Sequence, residues 1–178
     1  LAELQRQTRA AQEAFCADYG LAPAAASKPA KLMGHLRAQV REHGPRLIHW
    51  VARMPDLKTA AARLAMLEID RGERLRASRM TPGGLLEWQI TVRPDGQRLF
   101  DGCLPTLIEW GAVHPAPSLP ASGVTLDALT LRHPQAAALQ RALDAIGLHG
   151  ICIEQADTAA MRARLATGAV WAALDSDF

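Results

Sequence analysis

His49 and Glu109 stand as lone ionisable residues inside two apolar, strand-like runs, Arg46-Leu-Ile-His-Trp-Val-Ala-Arg53 and Leu104-Pro-Thr-Leu-Ile-Glu-Trp110. Imidazole and carboxylate are good ligands for a divalent metal, and a cupped sheet brings together strands that are distant in sequence. Side chains alternate along a strand, so His49 shares a face with Leu47 and Val51, opposite Ile48, Trp50 and Ala52. Glu109 goes with Leu107, opposite Ile108 and Trp110. A third run, Leu85 to Val92, sets Glu87, Gln89 and Thr91 against Leu86, Trp88, Ile90 and Val92. Glu87 and Gln89 are the catalytic candidates, able to bind a ligand hydroxyl or to serve as a general base. The plainer alternative is an interior, hydrogen-bonded His49 and a solvated sheet face for Glu87, Gln89 and Glu109.

The expectation is that the face rich in Trp and Ile packs on helices, leaving the polar face as a concave or solvated surface. Other reactive residues point to less. His114 and His133 each precede a proline and read as turn residues, and His35 and His43 lack single-turn ligand spacing. Ser78, Ser118 and Ser122 have no GxSxG elbow, and Cys103 has neither an adjacent base nor a helix start beside it. Gly83-Gly84 and the scattered glycines form no phosphate loop or dinucleotide fingerprint, so no organic cofactor is implied. Arg74, Arg76 and Arg79 could line a cleft for an anion, but charge that protects an edge strand explains them more simply.

With 178 residues, 49% of them apolar, the chain can bury a real core as one domain or two small, packed modules. A net charge of +2 with interspersed signs and 4% aromatic content gives no basic stripe and no stacking platform, which argues against nucleic acid. Three dispersed cysteines without a CxxC pair suggest neither a disulfide framework nor a zinc ribbon, and fit a reducing cytoplasm. No apolar run approaches bilayer length, so a membrane is not expected as a partner.

Turn signals divide the chain. Residues 1 to 19 read as an amphipathic helix closed by Gly20, and Leu21 to Lys31 as a linker; together, residues 1–33 look like the remnant of a first module. Residues 34–112 begin with a short helix, His35 to His43. After Gly44-Pro45 comes the first strand, and then an Asp56-capped helix, Leu57 to Leu67, with Ala61, Leu64 and Ala65 or Leu67 inward. Strands Arg74 to Arg79, Leu85 to Val92 and Leu104 to Trp110 complete a βαβββ unit. Residues 113–178 repeat the order in degenerate form: strand Val124 to Arg132, helix Gln135 to Ile146 closed by Gly147, then strands at Ile151 to Gln155, Ala160 to Ala166 and Val170 to Leu174. An internal duplication follows from that order, with Ala128 at the place of His49.

The run Gly44-Pro-Arg-Leu-Ile-His-Trp-Val-Ala-Arg53, with Pro55-Asp-Leu57, Leu104-Pro-Thr-Leu-Ile-Glu-Trp110, His114-Pro115, Leu119-Pro120, Gly123 and His133-Pro134, resembles the bacterial glyoxalase-like domain family of the vicinal-oxygen-chelate superfamily. The resemblance implies an α+β fold of tandem βαβββ modules forming a curved mixed sheet with helices on its outer face. It implies a divalent metal (Zn, Fe, Mn or Ni) held partly by His49 and Glu109, which would polarise an oxygen-bearing small molecule in lyase, isomerase or dioxygenase chemistry. A complete site in that pattern takes a second His and Glu from an earlier module. This chain opens, without an initiating Met, in what looks like that module's helix; either the segments are missing or the module has decayed. The rival reading is a metal-free protein that sequesters a small ligand, its cup lined by apolar and aromatic groups, or a scaffold. A homodimer is compatible with both.

Overall fold

The computed structural model describes residues 44–81 and 84–176 together with Ala38, Arg41 and Glu42, which are helical. The helix expected over residues 1 to 19, its linker and the first-module remnant lie outside the described residues. The chain divides into Leu1–Pro45 and Arg46–Phe178, and everything below concerns the second unit.

The expected order βαβββ occurs twice in an α+β fold. The elements are β1 (Val51–Arg53), α1 (Leu57–Ala65), β2 (Glu73–Thr81), β3 (Gly84–Val92), β4 (Thr106–Trp110), β5 (Val124–His133), α2 (Ala136–Ala145), β6 (Cys152–Gln155), β7 (Ala160–Thr167) and β8 (Val170–Asp175). They form two four-stranded mixed sheets, ordered β1-β4-β3-β2 and β6-β5-β7-β8. The connectivity is not duplicated. In the first sheet the strand after the helix lies at the far edge and the last strand runs parallel to the first; in the second, β6 lies directly beside β5, in parallel.

Sequence chemistry sets the helix ends. Asp56 caps α1 by accepting from the Thr59 amide at 2.9 Å. Both helices close with the paired bonds of a Schellman motif: Ile69 N–H to Leu64 C=O and Glu68 N–H to Ala65 C=O for α1, Leu148 to Leu143 and Gly147 to Asp144 for α2. The left-handed position is filled by Gly147 in α2 but by Glu68, at φ 60°, in α1. A side chain in that region costs energy that glycine avoids. Glu68→Gly is therefore expected to raise stability by about 0.5–1 kcal/mol in urea denaturation, the gain tempered by the looser unfolded chain.

The buried stripe of α1 is Leu57, Ala60 and Leu64, while Ala65 and Leu67 are exposed, so the helix is rotated from its expected setting. That of α2 is Leu139, Ala142 and Leu143, with Ile146 following. These stripes meet Ala52, Met54 and Leu107 of the first sheet region and Leu131 and Met161 of the second in one core. On the first sheet, α1 covers one face. The Arg93 and Asp70 turns, the β3–β4 connection and the opposite face of the sheet carry the remaining polar chemistry.

Candidate functional site

Strand pairing decides which residues face each other. Parallel pairing sets Val51 opposite Thr106, Ala52 opposite Leu107 and Arg53 opposite Ile108, and antiparallel pairing sets Gln89 opposite Glu109 and Ile90 opposite Ile108. Paired residues share a face. Ala52, Leu107, Glu109 and Gln89 consequently lie on the side of α1, whereas Val51, Arg53, Thr106, Ile108, Trp110, Ile90 and Trp88 lie on the opposite, free side, which no helix among the described residues covers. His49 precedes β1, in extended chain rather than in the ladder, because Leu47 turns away to donate to the Asp175 carbonyl of β8 at 3.0 Å. It reaches the helix-free side through Thr106, 2.8 Å from its Nε2.

His49 and Glu109 are thus not brought together. The Glu109 carboxylate accepts from the Leu57 amide at 2.6 Å, in the first turn of α1, where free N–H groups and the helix dipole favour an anion. It ties the end of β4 to the start of the helix. As placed, the two residues do not fit one metal ion, and among the described residues no three His, Cys, Asp or Glu side chains cluster as metal ligands do. Glu109→Gln is expected to cost about 1 kcal/mol of stability in thermal denaturation, as loss of a charged cap does.

Glu87 and Gln89 are likewise on the α1 side, away from the helix-free face where a catalytic role was expected of them. The face assignment of Trp88, Ile90, Ile108 and Trp110 is inverted in the same way: they do not pack on α1. They line the free face half-buried, with the Trp88 and Trp110 rings 5.6 Å apart and His114 edge-on to Trp110 at 5.5 Å. Trp50, just before β1, does pack against the helix core, its indole N–H donating to Cys103 C=O at 3.0 Å.

At one end of the free face lies a cleft of about 270 Å³, lined by His49, Thr106, Ile90, Arg71, Arg93 and Arg98 among others. The Thr106 hydroxyl is its hub: it accepts from Arg71 Nη2 at 3.2 Å and sits 2.8 Å from His49 Nε2. The hydroxyl has one proton and two lone pairs, so beside Arg71 it serves His49 Nε2 as donor or as acceptor, according to the ring tautomer. His49 Nδ1 and Arg71 Nε are both buried without a hydrogen-bond partner among the described residues. Arg71 is only 5% exposed. Burial, then the neighbouring Arg93, lower its pKa to about 10, which leaves it charged at neutral pH.

Burial first, then Arg71 and Arg98, push the His49 pKa below its ordinary 6.5, and the Gly102 backbone opposes this without reaching a normal hydrogen bond to Nδ1. The folded chain therefore resists protonation of His49. Its contribution to stability is complete above about pH 6.5 and is lost as the pH falls below that value toward the lower folded-state pKa. His49→Asn is expected to show a smaller drop in urea midpoint between pH 7.5 and pH 5 than the parent chain.

A larger groove, about 580 Å³, runs on the other side between α1 and the start of β2, lined by alanines, Lys58, Glu68 and Arg74. Arg74 thus belongs to an edge strand and to that groove, not to the cleft. His114 and His133 are turn residues: Nδ1 of each accepts from the amide two residues on, Ala116 at 3.1 Å and Gln135 at 2.9 Å. Cys103 is buried and its thiol is pushed up to about 11, by desolvation first and then by Asp101, as befits an inert packing residue.

Thr106, Arg71 and Arg98 carry the cleft and were not singled out by sequence. Pro105-Thr106 looked like the entry to a strand, and nothing in Ile69-Asp-Arg-Gly72 distinguishes a buried arginine from a solvated turn.

No curated protein matches the chain significantly. Among solved structures, a hypothetical protein from Staphylococcus aureus is similar with a TM-score of 0.42 and 11% sequence identity, over 77% of this chain and 56% of that one. The chain thus spans little more than half the length of that protein. No helix among the described residues is long and apolar enough to cross a membrane. The sequence profile of the glyoxalase-like domain matches residues 19–147, well over half of the chain. The chain belongs to the glyoxalase-like domain family.

Proposed function

We propose that this chain binds an oxygen-bearing small molecule in the cleft at His49, Thr106 and Arg71, without a His49–Glu109 chelate. One observation carries the reading: the hydrogen-bonded His49–Thr106–Arg71 group faces the cleft, and two of its buried nitrogens, His49 Nδ1 and Arg71 Nε, have no partner among the described residues. The cleft is concave and gathers convergent polar groups around Ile90 and Val92, as small-ligand sites do, and about 270 Å³ puts it at the small end of such sites. An unmatched buried donor costs on the order of 1–3 kcal/mol, and a ligand oxygen would recover part of it.

The chain's own residues would bind and orient. The Arg71 guanidinium is a donor suited to hold or polarise an oxygen, His49 Nδ1 is a second one in the tautomer that protonates it, and Trp88 and Trp110 add apolar surface on the same side. Catalysis by a metal in the manner of the wider superfamily would draw its ligands from some set other than His49 with Glu109.

The test is a titration of the full chain with a panel of small aldehydes, ketones, phenols and carboxylic acids, followed by tryptophan fluorescence and repeated with His49→Ala. Saturable binding that weakens at least fivefold in the variant is expected. Binding that is indifferent to His49, or no binding across the panel, would overturn the reading.

A further inference from the structure

Arg71 is a buried and poorly compensated charge. It is only 5% exposed, yet its hydrogen bond goes to a neutral hydroxyl, and among the described residues no carboxylate pairs with it. Its neighbour Arg93 differs: Asp95 grips it through two nitrogens, the Asp70 backbone carbonyl accepts from it at 2.6 Å, and the Asp70 carboxylate lies 3.8 Å away. Arg98, on the cleft's other wall, spends a donor on the Ile48 carbonyl at 2.9 Å. Asp95 and Asp70 are thus engaged by Arg93, and among the described residues no carboxylate pairs with Arg71 or Arg98. A buried cation without a counter-charge is costly, and nature retains such a group where a partner neutralises it. The guanidinium fork matches the two oxygens of a carboxylate or phosphate.

We propose that the cleft selects small molecules bearing a carboxylate or phosphate group, with Arg71 pairing with the oxyanion and the His49–Thr106 pair setting its position. This rests on the reading of the cleft as the ligand site and narrows it to one ligand class. His49 suits the role, since its buried Nδ1 has no partner among the described residues and, in the tautomer that protonates it, donates to the same oxyanion. The arginines of β2 do not compete for it, since that strand lies at the far edge of the sheet.

The test compares acetate with its neutral isostere acetamide, and both with inorganic phosphate, on the full chain at constant ionic strength set by chloride. Thermal denaturation is the readout. At a tenfold excess over Kd the midpoint should rise by about 3–6 °C. Acetate or phosphate should raise it and acetamide should not, with the larger of the two shifts naming the oxyanion. In Arg71→Gln the shift should vanish while the ligand-free midpoint stays level or rises, because an uncompensated buried charge has been removed. Should that variant fail to fold, the acetate–acetamide contrast in the parent chain and a reduced shift in Arg71→Lys decide the matter. Equal shifts with acetate and acetamide, or an anion shift kept in Arg71→Gln, would overturn the proposal. If neutral members of the fluorescence panel bind through His49 while no anion does, this inference alone falls; if nothing binds, the cleft reading falls with it.

Discussion

Gly72→Ala should lower stability by at least about 3 kcal/mol, the largest loss expected of a methyl group added at any described glycine. A Cβ at Gly72 would lie 2.2 Å from the Val92 carbonyl oxygen, 2.6 Å from its carbon and 2.7 Å from Arg93 Cα, all backbone atoms of the neighbouring strand end. The residue also sits at φ +80°, where L side chains are strained. Its amide donates to the Asp70 carboxylate at 2.7 Å, while Arg93 clasps the Asp70 carbonyl at 2.6 Å. This tight turn presses Arg71 inward against Thr106. The substitution should therefore reach the cleft as well: urea denaturation should show the loss of stability, and fluorescence titration should show weakened binding in whatever fraction remains folded. A stable Gly72→Ala chain would mean that the turn is not packed against β3 as described.

Thr106→Val is the second large effect, and it separates hydrogen bonding from shape. Valine keeps the volume but deletes the hub, leaving Arg71 Nη2 and His49 Nε2 without their shared partner. One of those bonds involves a charged donor, so the loss should be about 2–3 kcal/mol in urea denaturation, mostly the penalty for buried groups left unsatisfied. Thr106→Ser, which restores the hydroxyl, should recover more than half of it. A neutral Thr106→Val would show that water already serves these groups.

Most element boundaries were legible in the sequence, because Asp56, Gly147, Pro94-Asp-Gly96 and the His-Pro pairs put chemistry where the chain must turn. Alternation within each strand was legible too. His49 does share a side with Val51, and Glu109 with Leu107. What the sequence leaves open is the phase between strands. Parallel pairing of Ala52 with Leu107 places Glu109 on the side of Ala52, and an offset of one residue inverts a strand's faces. The polar residues Glu87 and Gln89 then fall on the α1 side, where they looked like the lining of a cup, and the tryptophans fall on the free side. The strand order of the second sheet is equally invisible to a repeat of element order, since hydrogen-bond partners are set by tertiary packing. Arg71 was hidden for another reason: burial of a loop arginine depends on a turn held by Gly72 and on a strand twenty residues away.

The most direct measurement is a double-mutant cycle between His49→Ala and Glu109→Gln, with stability read by urea denaturation without metal and again with Zn, Mn or Ni ions in excess. Residues that serve opposite faces of a sheet should be additive to within about 0.5 kcal/mol in every condition. A coupling above about 1 kcal/mol that emerges with one of the metals would contradict the account and restore His49 and Glu109 as joint ligands.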